Sequence, residues 1–405
     1  MLKRIPLHQL RIGMYVAGID ASWSRTPFLK HRFLLDTDEQ IEYMRRSHIN
    51  AVDIDTSKGL DVAPLSVPDE TLHASSFDGS TQAPSASDAS RSFATLNVEL
   101  AIAQETRDKL IRAVQLVFDG VRQTGVIDSE QVKETVQKVI LATRTCSTHS
   151  MFRAMSEERP FDPSLGDHSL AVCMLAMIMG QALGYDSIQL KDLATGALLH
   201  DIGLLQLPPH LFHTVAPLSV KDRATFGLHP PIGSMMIEAQ PEFSQTVCRI
   251  AAEHHVTPDG RGYPPEISAG STAETSRIVM IADRYDELRI EFGGLQRLSS
   301  HAAIQQLLQE GELGHLDSPL VSLFLKQVGI YPVYSIVELN TSERGMITAI
   351  NPATLHQPIV SLTYTETGRP YPNPLTADLS DPNQPIARSI KCVIPGESRE
   401  AYRAA

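Results

Sequence analysis

From Asn97 to about Gln327 the chain shows the apolar spacing of helices almost without a break, and it sets ionisable side chains inside those apolar segments. They are His168 in GDHSLAV, His200 and Asp201 in LLHDIG, His229 in GLHPPIG, His254 and His255 in AAEHHV, and Asp283 in MIADRYD. A helical core cannot hold such groups unpaired. They must neutralise, pair or coordinate a metal. Imidazole and carboxylate together suit first-row divalent ions such as iron, manganese or zinc. Adjacent residues on a helix point about 100° apart, so the pairs His200–Asp201 and His254–His255 can grip one site from two walls of a bundle. A carboxylate such as Asp201 has two oxygens and can bridge two ions. Five histidines and two aspartates are too many for one ordinary site and about right for two. Taken singly, each histidine reads as a satisfied or exposed residue; the ensemble points to metal. His8, His210 and His315 lack this context and read as ordinary.

The rest of the composition narrows the class. The net charge is −12, with no block of Lys or Arg, which argues against a nucleic acid polymer or an anionic membrane as partner. A small anionic ligand held by a metal stays open. The four cysteines, Cys146, Cys173, Cys248 and Cys392, have no C-x-x-C spacing and fit a reducing cytoplasm. The start, MLKRIPLHQLRIGMYV, lacks the apolar core of a signal peptide. The longest apolar run, Leu170 to Leu183, would span roughly 21 Å as a helix, short of the ~30 Å of a membrane core, and is expected to be a buried helix.

Four segments are expected: a small N-terminal α+β module (1–65), a Ser/Ala-rich flexible linker (66–95), a helical domain (96–330) and a C-terminal β-rich appendage (331–405). In the first, GMYVAGID and AVDIDTSKG have strand character, and TDEQIEYMRRSHI has helical spacing behind a capping residue. SSFDGSTQAPSASDASRS has almost no apolar anchor and cannot offset its ordering entropy. After Gly329, YPVYSIVELN, RGMITAIN, QPIVSLTYTE and RSIKCVIP are β-branched, alternating runs separated by turns. The fold class is therefore mainly α.

The ordered set H…HD…H…HH…D resembles the HD-GYP subgroup of the HD metal-dependent phosphohydrolases. Its name-giving tripeptide is present in DGRGYPP, with Gly262, Tyr263 and Pro264 following the His-His pair. The resemblance covers roughly residues 140–330, and the N-terminal module resembles the small domain often found ahead of HD-GYP domains. It implies an HD-type helical bundle that holds two metals, sometimes three, and hydrolyses cyclic di-GMP. One metal would take His168, His200, Asp201 and Asp283. The second would take Asp201, His229, His254 and His255, with Asp201 bridging. A hydroxide between the ions would attack the phosphodiester, with Asp201 the residue on which catalysis turns. Iron or manganese is the expected metal, with zinc, nickel or magnesium as alternatives.

The sequence departs from the family pattern on the substrate side. Leu204 stands where the family keeps a lysine that would face a phosphate, one helical turn from His200 if the helix runs that far. Pro209 and Val256 replace an Asp and a Glu, and the family's Arg-Pro-Tyr-Arg stretch falls on Phe292–Leu295. Ser164 replaces a Glu that supports a third metal in some members. Substitutes for the missing phosphate grip are Arg261, Arg289 and Arg297, with Gly262, Tyr263 and Pro264 as loop candidates. Arg289 and Arg297 also read as a solvated helix face. Gly260 and Gly262 read first as residues that allow the positive φ of a tight turn before Pro264. The activity expected is that of a cyclic di-GMP phosphodiesterase, placed in doubt by Leu204. The alternative is a weak or inactive signalling module that keeps the metals, binds the nucleotide and acts through protein partners at the GYP loop or the N-terminal module. A third reading is hydrolysis of another phosphoester, with Leu204 as an apolar lip. A homodimer is compatible with the sequence.

Overall fold

The computed structural model describes residues 2–6, 9–19, 33–35, 41, 51–60, 93–156, 165–211, 217–290 and 297–394. Most of the Ser/Ala-rich stretch, the helix expected on TDEQIEYMRRSHI apart from Ile41, Ser164 and Phe292–Leu295 lie outside the described residues. The chain divides into two compact units, Met1–Ser90 and Arg91–Ala405.

In the first unit, strands β1 (Leu2–Pro6), β2 (Tyr15–Ile19), β3 (Phe33–Leu34) and β4 (Ala51–Asp55) form an antiparallel sheet in the order β1-β4-β2-β3. Alternate residues Val52 and Ile54 face a small core with Ile5, Leu10, Met14, Val16, Leu35 and Ile41, as the two-residue period of a strand requires.

The second unit is helical up to Val328. Its helices are α1 (Phe93–Thr124), α2 (Ser129–Thr145), α3 (Thr148–Met155), α4 (Leu165–Ala182), α5 (Ser187–Leu199), α6 (Val220–Phe226), α7 (His229–Glu238), α8 (Gln245–Glu253), α9 (Glu274–Glu287), α10 (Ser300–Glu312) and α11 (Ser318–Val328). Their starts are written in the sequence. Asp128, Ser147, Ser219, Ser299 and Asp317 each cap a backbone N–H of the first turn. Asp186 forms a reciprocal capping box with Gln189.

Helix α4 is the hub. Fifteen of its 18 residues are buried, and it packs against α1, α5, α9 and α11. A helix that is apolar on every face belongs in an interior. Each of Leu170, Met174 and Leu175, fully buried, contributes about 1.5–3 kcal/mol by leaving water. This helix is long and apolar enough to cross a membrane, but 83% of it is buried inside the protein, as expected for the Leu170–Leu183 run.

The C-terminal strands β5 (Ile336–Leu339), β6 (Arg344–Ala349), β7 (Ile359–Tyr364), β8 (Pro370–Asp378) and β9 (Ile390–Val393) form one antiparallel sheet in the order β8-β7-β6-β5-β9. It is tied to the helices through Tyr334, whose hydroxyl lies 2.9 Å from Ser150 Oγ and donates to the Leu96 carbonyl. Strand β8 has no counterpart among the runs read from the sequence. Its prolines 370, 372 and 374 disguise it, and they are tolerated because β8 is an edge strand.

Candidate metal centre

The seven His and Asp side chains come from α4, α7, α9 and the C-terminal ends of α5 and α8, and they meet at one place. His200 and His254 are not within helices but close the ends of α5 and α8. His229 opens α7, just after α6 ends at Phe226. The last carbonyls of a helix have no partner inside it, and three of the histidines use them identically. His200 Nδ1 lies 2.8 Å from the Ala197 carbonyl, His229 Nδ1 2.8 Å from the Phe226 carbonyl and His254 Nδ1 2.9 Å from the Ala251 carbonyl. In each case the carbonyl is three residues earlier.

A carbonyl can only accept, so in each ring Nδ1 carries the hydrogen, and Nε2 of the neutral imidazole keeps its lone pair. The consequence is a buried convergence of acceptors. His229 Nε2 and His254 Nε2 lie 3.2 Å apart, and His229 Nε2 lies 3.0 Å from Asp201 Oδ1. With neutral rings, neither contact has a hydrogen to share. His200 Nε2 and Asp201 Oδ1 are buried without a hydrogen-bond partner, at a cost of about 1–3 kcal/mol each. A cation among these atoms removes the conflict, so the donor set fits a metal.

The atoms separate into two groups: Asp201, His229, His254 and His255, and His168, His200 and Asp283. Asp201 lies between them. Its Oδ1 faces His229 and His254, at 3.0 and 3.5 Å. Its Oδ2 faces His200 and His168, at 3.5 and 3.6 Å. Asp283 Oδ1 is 3.1 Å from His168 Nε2. His255 approaches differently, with Nδ1 3.9 Å from Asp283 Oδ2 and its ring stacked on Tyr263 at 4.5 Å.

The electrostatics follow from burial and proximity. Burial alone would raise the Asp201 carboxyl, but the adjacent imidazoles of His200 and His229 hold it well below the usual carboxylate range. Burial would likewise raise Asp283, and its bonds with His168 and His200 hold it well below that range. Burial opposes a charge on His168, but its hydrogen bonds to Asp283 and Asp286 raise it well above an ordinary histidine. Burial, then the neighbouring His254, push His255 well down.

Two residues beside the centre and its cavity escaped the sequence reading. Asp286 accepts from His168 Nδ1 at 2.8 Å, which leaves Nε2 facing the centre. It lies three residues after Asp283 on α9, and that i,i+3 spacing was the available signal. His315 reads as ordinary in the sequence, yet it lines a cavity of about 390 Å³ that is bounded by His255, Asp283 and Tyr263. The cavity falls in the usual range for ligand sites.

The substrate-side expectations fare unevenly. Arg261, Gly262 and Tyr263 line the cavity; the Tyr263–Pro264 peptide is cis. Gly260 has φ +73°, as a turn requires, but Gly262 is needed for a different reason. A Cβ there would lie 2.0 Å from the His255 carbonyl oxygen. Arg289 is half-buried and outside the cavity wall, and it donates to the carbonyls of Leu298 and Ser156. Arg297 is exposed and outside the cavity wall. The helix does not run to Leu204, because α5 stops at Leu199 and a 3-10 turn follows over Ile202–Gln206. Leu204 is only 2% exposed, so it is a core residue and not a lip.

Comparison with known proteins gives these features a context. Residues 143–320 match the family described as "HD domain", and residues 2–132 match the "Domain of unknown function (DUF3391)". The chain is 26% identical over 366 residues to the cyclic di-GMP phosphodiesterase PA4108 of Pseudomonas aeruginosa, covering 90% of this chain and 86% of that one. It is 24% identical over 194 residues to the cyclic di-GMP phosphodiesterase PdeB of Borreliella burgdorferi, covering 48% of this chain and 51% of the other. Among solved structures it is similar to Bd1817, a HDG"Y"P protein from Bdellovibrio bacteriovorus, at 18% identity and a TM-score of 0.46, covering 80% and 98% of the two chains.

Proposed function

The chain carries an HD domain over residues 143–320 behind an N-terminal DUF3391 domain, and from that premise we propose that it is a metal-dependent phosphodiesterase acting on cyclic di-GMP. The observation that carries the reading is the buried set of lone pairs: two histidine Nε2 atoms 3.2 Å apart and a carboxylate with each oxygen facing a different group. The homology to named cyclic di-GMP phosphodiesterases supports the substrate.

In this reading the centre would hold two divalent ions, iron or manganese: His168, His200 and Asp283 would bind one, and His229, His254 and His255 the other, with Asp201 available to both. Divalent ions bound there lower the pKa of water and neutralise charge on the phosphoryl oxygens. The chain's own residues do the rest. Asp286 and the carbonyls of Ala197, Phe226 and Ala251 fix the rings so that no reorientation is needed when the site fills. Tyr263 and Met280 line the cavity beside His255 and Asp283. Arg261 faces the same cavity and offers a cation to the nucleotide.

The test is metal analysis of the purified full chain coupled to an assay of cyclic di-GMP hydrolysis, with Asp201→Ala as control. Metal at about two ions per chain and turnover absent from the control are expected. Metal-loaded protein with no more turnover than the control would overturn the reading.

A further inference from the structure

His315 sits on the connector between α10 and α11. Its N–H donates to the Glu310 carbonyl at 2.9 Å, and the preceding Gly314 has φ +79°, which turns the chain back towards the cavity. Beside it in the cavity wall is the loop before the Gly-Tyr-Pro tripeptide, built around Asp259. The two oxygens of Asp259 have different surroundings. Oδ1 accepts from Thr257 Oγ1 at 2.6 Å and from the Arg261 N–H at 3.0 Å, and so holds the turn. Oδ2 has Arg261 Nε and His315 Nε2 each at 3.6 Å, both beyond hydrogen-bond length. One carboxylate oxygen and two nitrogens thus converge as loose ion pairs, close enough to attract and too far apart to hydrogen-bond. Arg284, the other arginine of the wall, is already committed to Glu310 and Glu287.

Resting on the function proposed above, we propose that Asp259, Arg261 and His315 form the subsite that recognises the guanine base of the substrate, with His315 a specificity-determining residue. Guanine presents an O6 acceptor beside N–H donors, the complement of two donors beside a carboxylate oxygen. Adenine presents an amino donor where guanine has O6. A site built to hydrogen-bond a ligand group discriminates against an analogue that lacks it. Met280 and Leu316 supply apolar wall in the same cavity, suited to the face of a base. Asp259 Oδ2 would take the N–H edge, and Arg261 and His315 would donate to O6.

The test uses Asp259→Asn and His315→Ala in the full, manganese-loaded chain, with kcat/KM measured for cyclic di-GMP and for cyclic di-AMP. Asparagine can keep the acceptor at Oδ1 and place an amide donor at Oδ2. The ratio of the two kcat/KM values is the readout, because any loss of folded or metal-loaded protein scales both substrates alike. The expected result is a fall in the cyclic di-GMP to cyclic di-AMP ratio, about tenfold for D259N and roughly three- to tenfold for H315A. Wild-type ratios in both variants overturn the subsite while leaving the parent function standing. A wild-type chain that holds metal but turns over neither dinucleotide overturns the parent function, and the subsite with it.

Discussion

Asp286 offers the sharpest test of how this centre is organised. It is buried on α9 and bonded at 2.8 Å to His168 Nδ1. It lies outside both groups of ligand atoms. Removing it therefore leaves every ligand in place and changes only how one ligand is held. A hydrogen bond to a charged group contributes about 1.5–3 kcal/mol, and loss of an outer partner of a metal-bound histidine typically lowers affinity 10- to 100-fold. The two magnitudes agree, since 1.4 kcal/mol is about a factor of ten. Asp286→Ala, which removes both acceptor and charge, is expected to weaken manganese binding by 10- to 100-fold. Asp286→Asn keeps an acceptor and loses the charge, so about a three- to tenfold loss is expected. Affinity is read by competition with a chelator of known strength, with circular dichroism to verify the fold. Alanine and asparagine variants that bind manganese as tightly as wild type would refute the reasoning, because His168 would then need no orienting partner.

Gly203 sits where a Cβ would lie 2.2 Å from the His229 carbonyl oxygen and 2.6 Å from Gly233 N. Both are backbone atoms that cannot swing away, so Gly203→Ala is expected to cost about 1–3 kcal/mol in chemical denaturation and to weaken metal binding; a neutral result would mean that α7 shifts freely. Glu343 tests a site in the C-terminal sheet. The Arg388 hydrogen bond holds its carboxyl at about 2. A depressed carboxyl stabilises the fold above its unfolded value, and that contribution is lost as pH falls towards about 2. Glu343→Gln is expected to cost about 1–2 kcal/mol at pH 7, less than the full shift because glutamine keeps an acceptor for Arg388. The gap to wild type should close between about pH 4.5 and pH 2 in pH-dependent denaturation; a gap independent of pH would contradict the ion pair. Chelation of the metal-loaded protein is expected to lower Tm, since a ligand at 100 times its Kd stabilises the folded state by about 2.7 kcal/mol. An unchanged Tm in excess chelator would show that the acceptors tolerate one another without a cation.

The sequence carried the existence of the site further than its construction. Seven ionisable residues in apolar segments announce a buried polar centre, because burial of charge has few physical solutions. The helical spacing around α4 and the alternation of β6 and β7 were equally readable. What stayed hidden depends on where helices stop. LLHD and AAEHH read as continuous helix, yet His200 and His254 cap helix ends, where carbonyls become available to Nδ1. Leu204 was misplaced for the same reason: the switch from α helix to 3-10 turn after Leu199 rotates it into the core. His315 was passed over because it approaches the cavity from a connector that is distant in sequence, and spacing says nothing about such returns.

The recurrence of one local device explains why the centre can be both buried and ready. Three times the chain ends a helix and aims the histidine three residues after a free carbonyl, so the helix end that would otherwise need a cap orients a ligand instead. The same arrangement leaves lone pairs facing lone pairs at 3.2 Å and an unpartnered Asp201 oxygen in the interior. A core selected only for stability would replace such groups by apolar ones, as α4 does along nearly its whole length. Acceptors set against acceptors in the interior, within a unit whose described helices are well capped, are the mark of a site kept for function. It also locates the stability that metal must supply. The unfavourable contacts belong to Asp201, His200, His229 and His254 together, so replacing any one of them should relieve part of the conflict in the metal-free protein while reducing its stabilisation by metal.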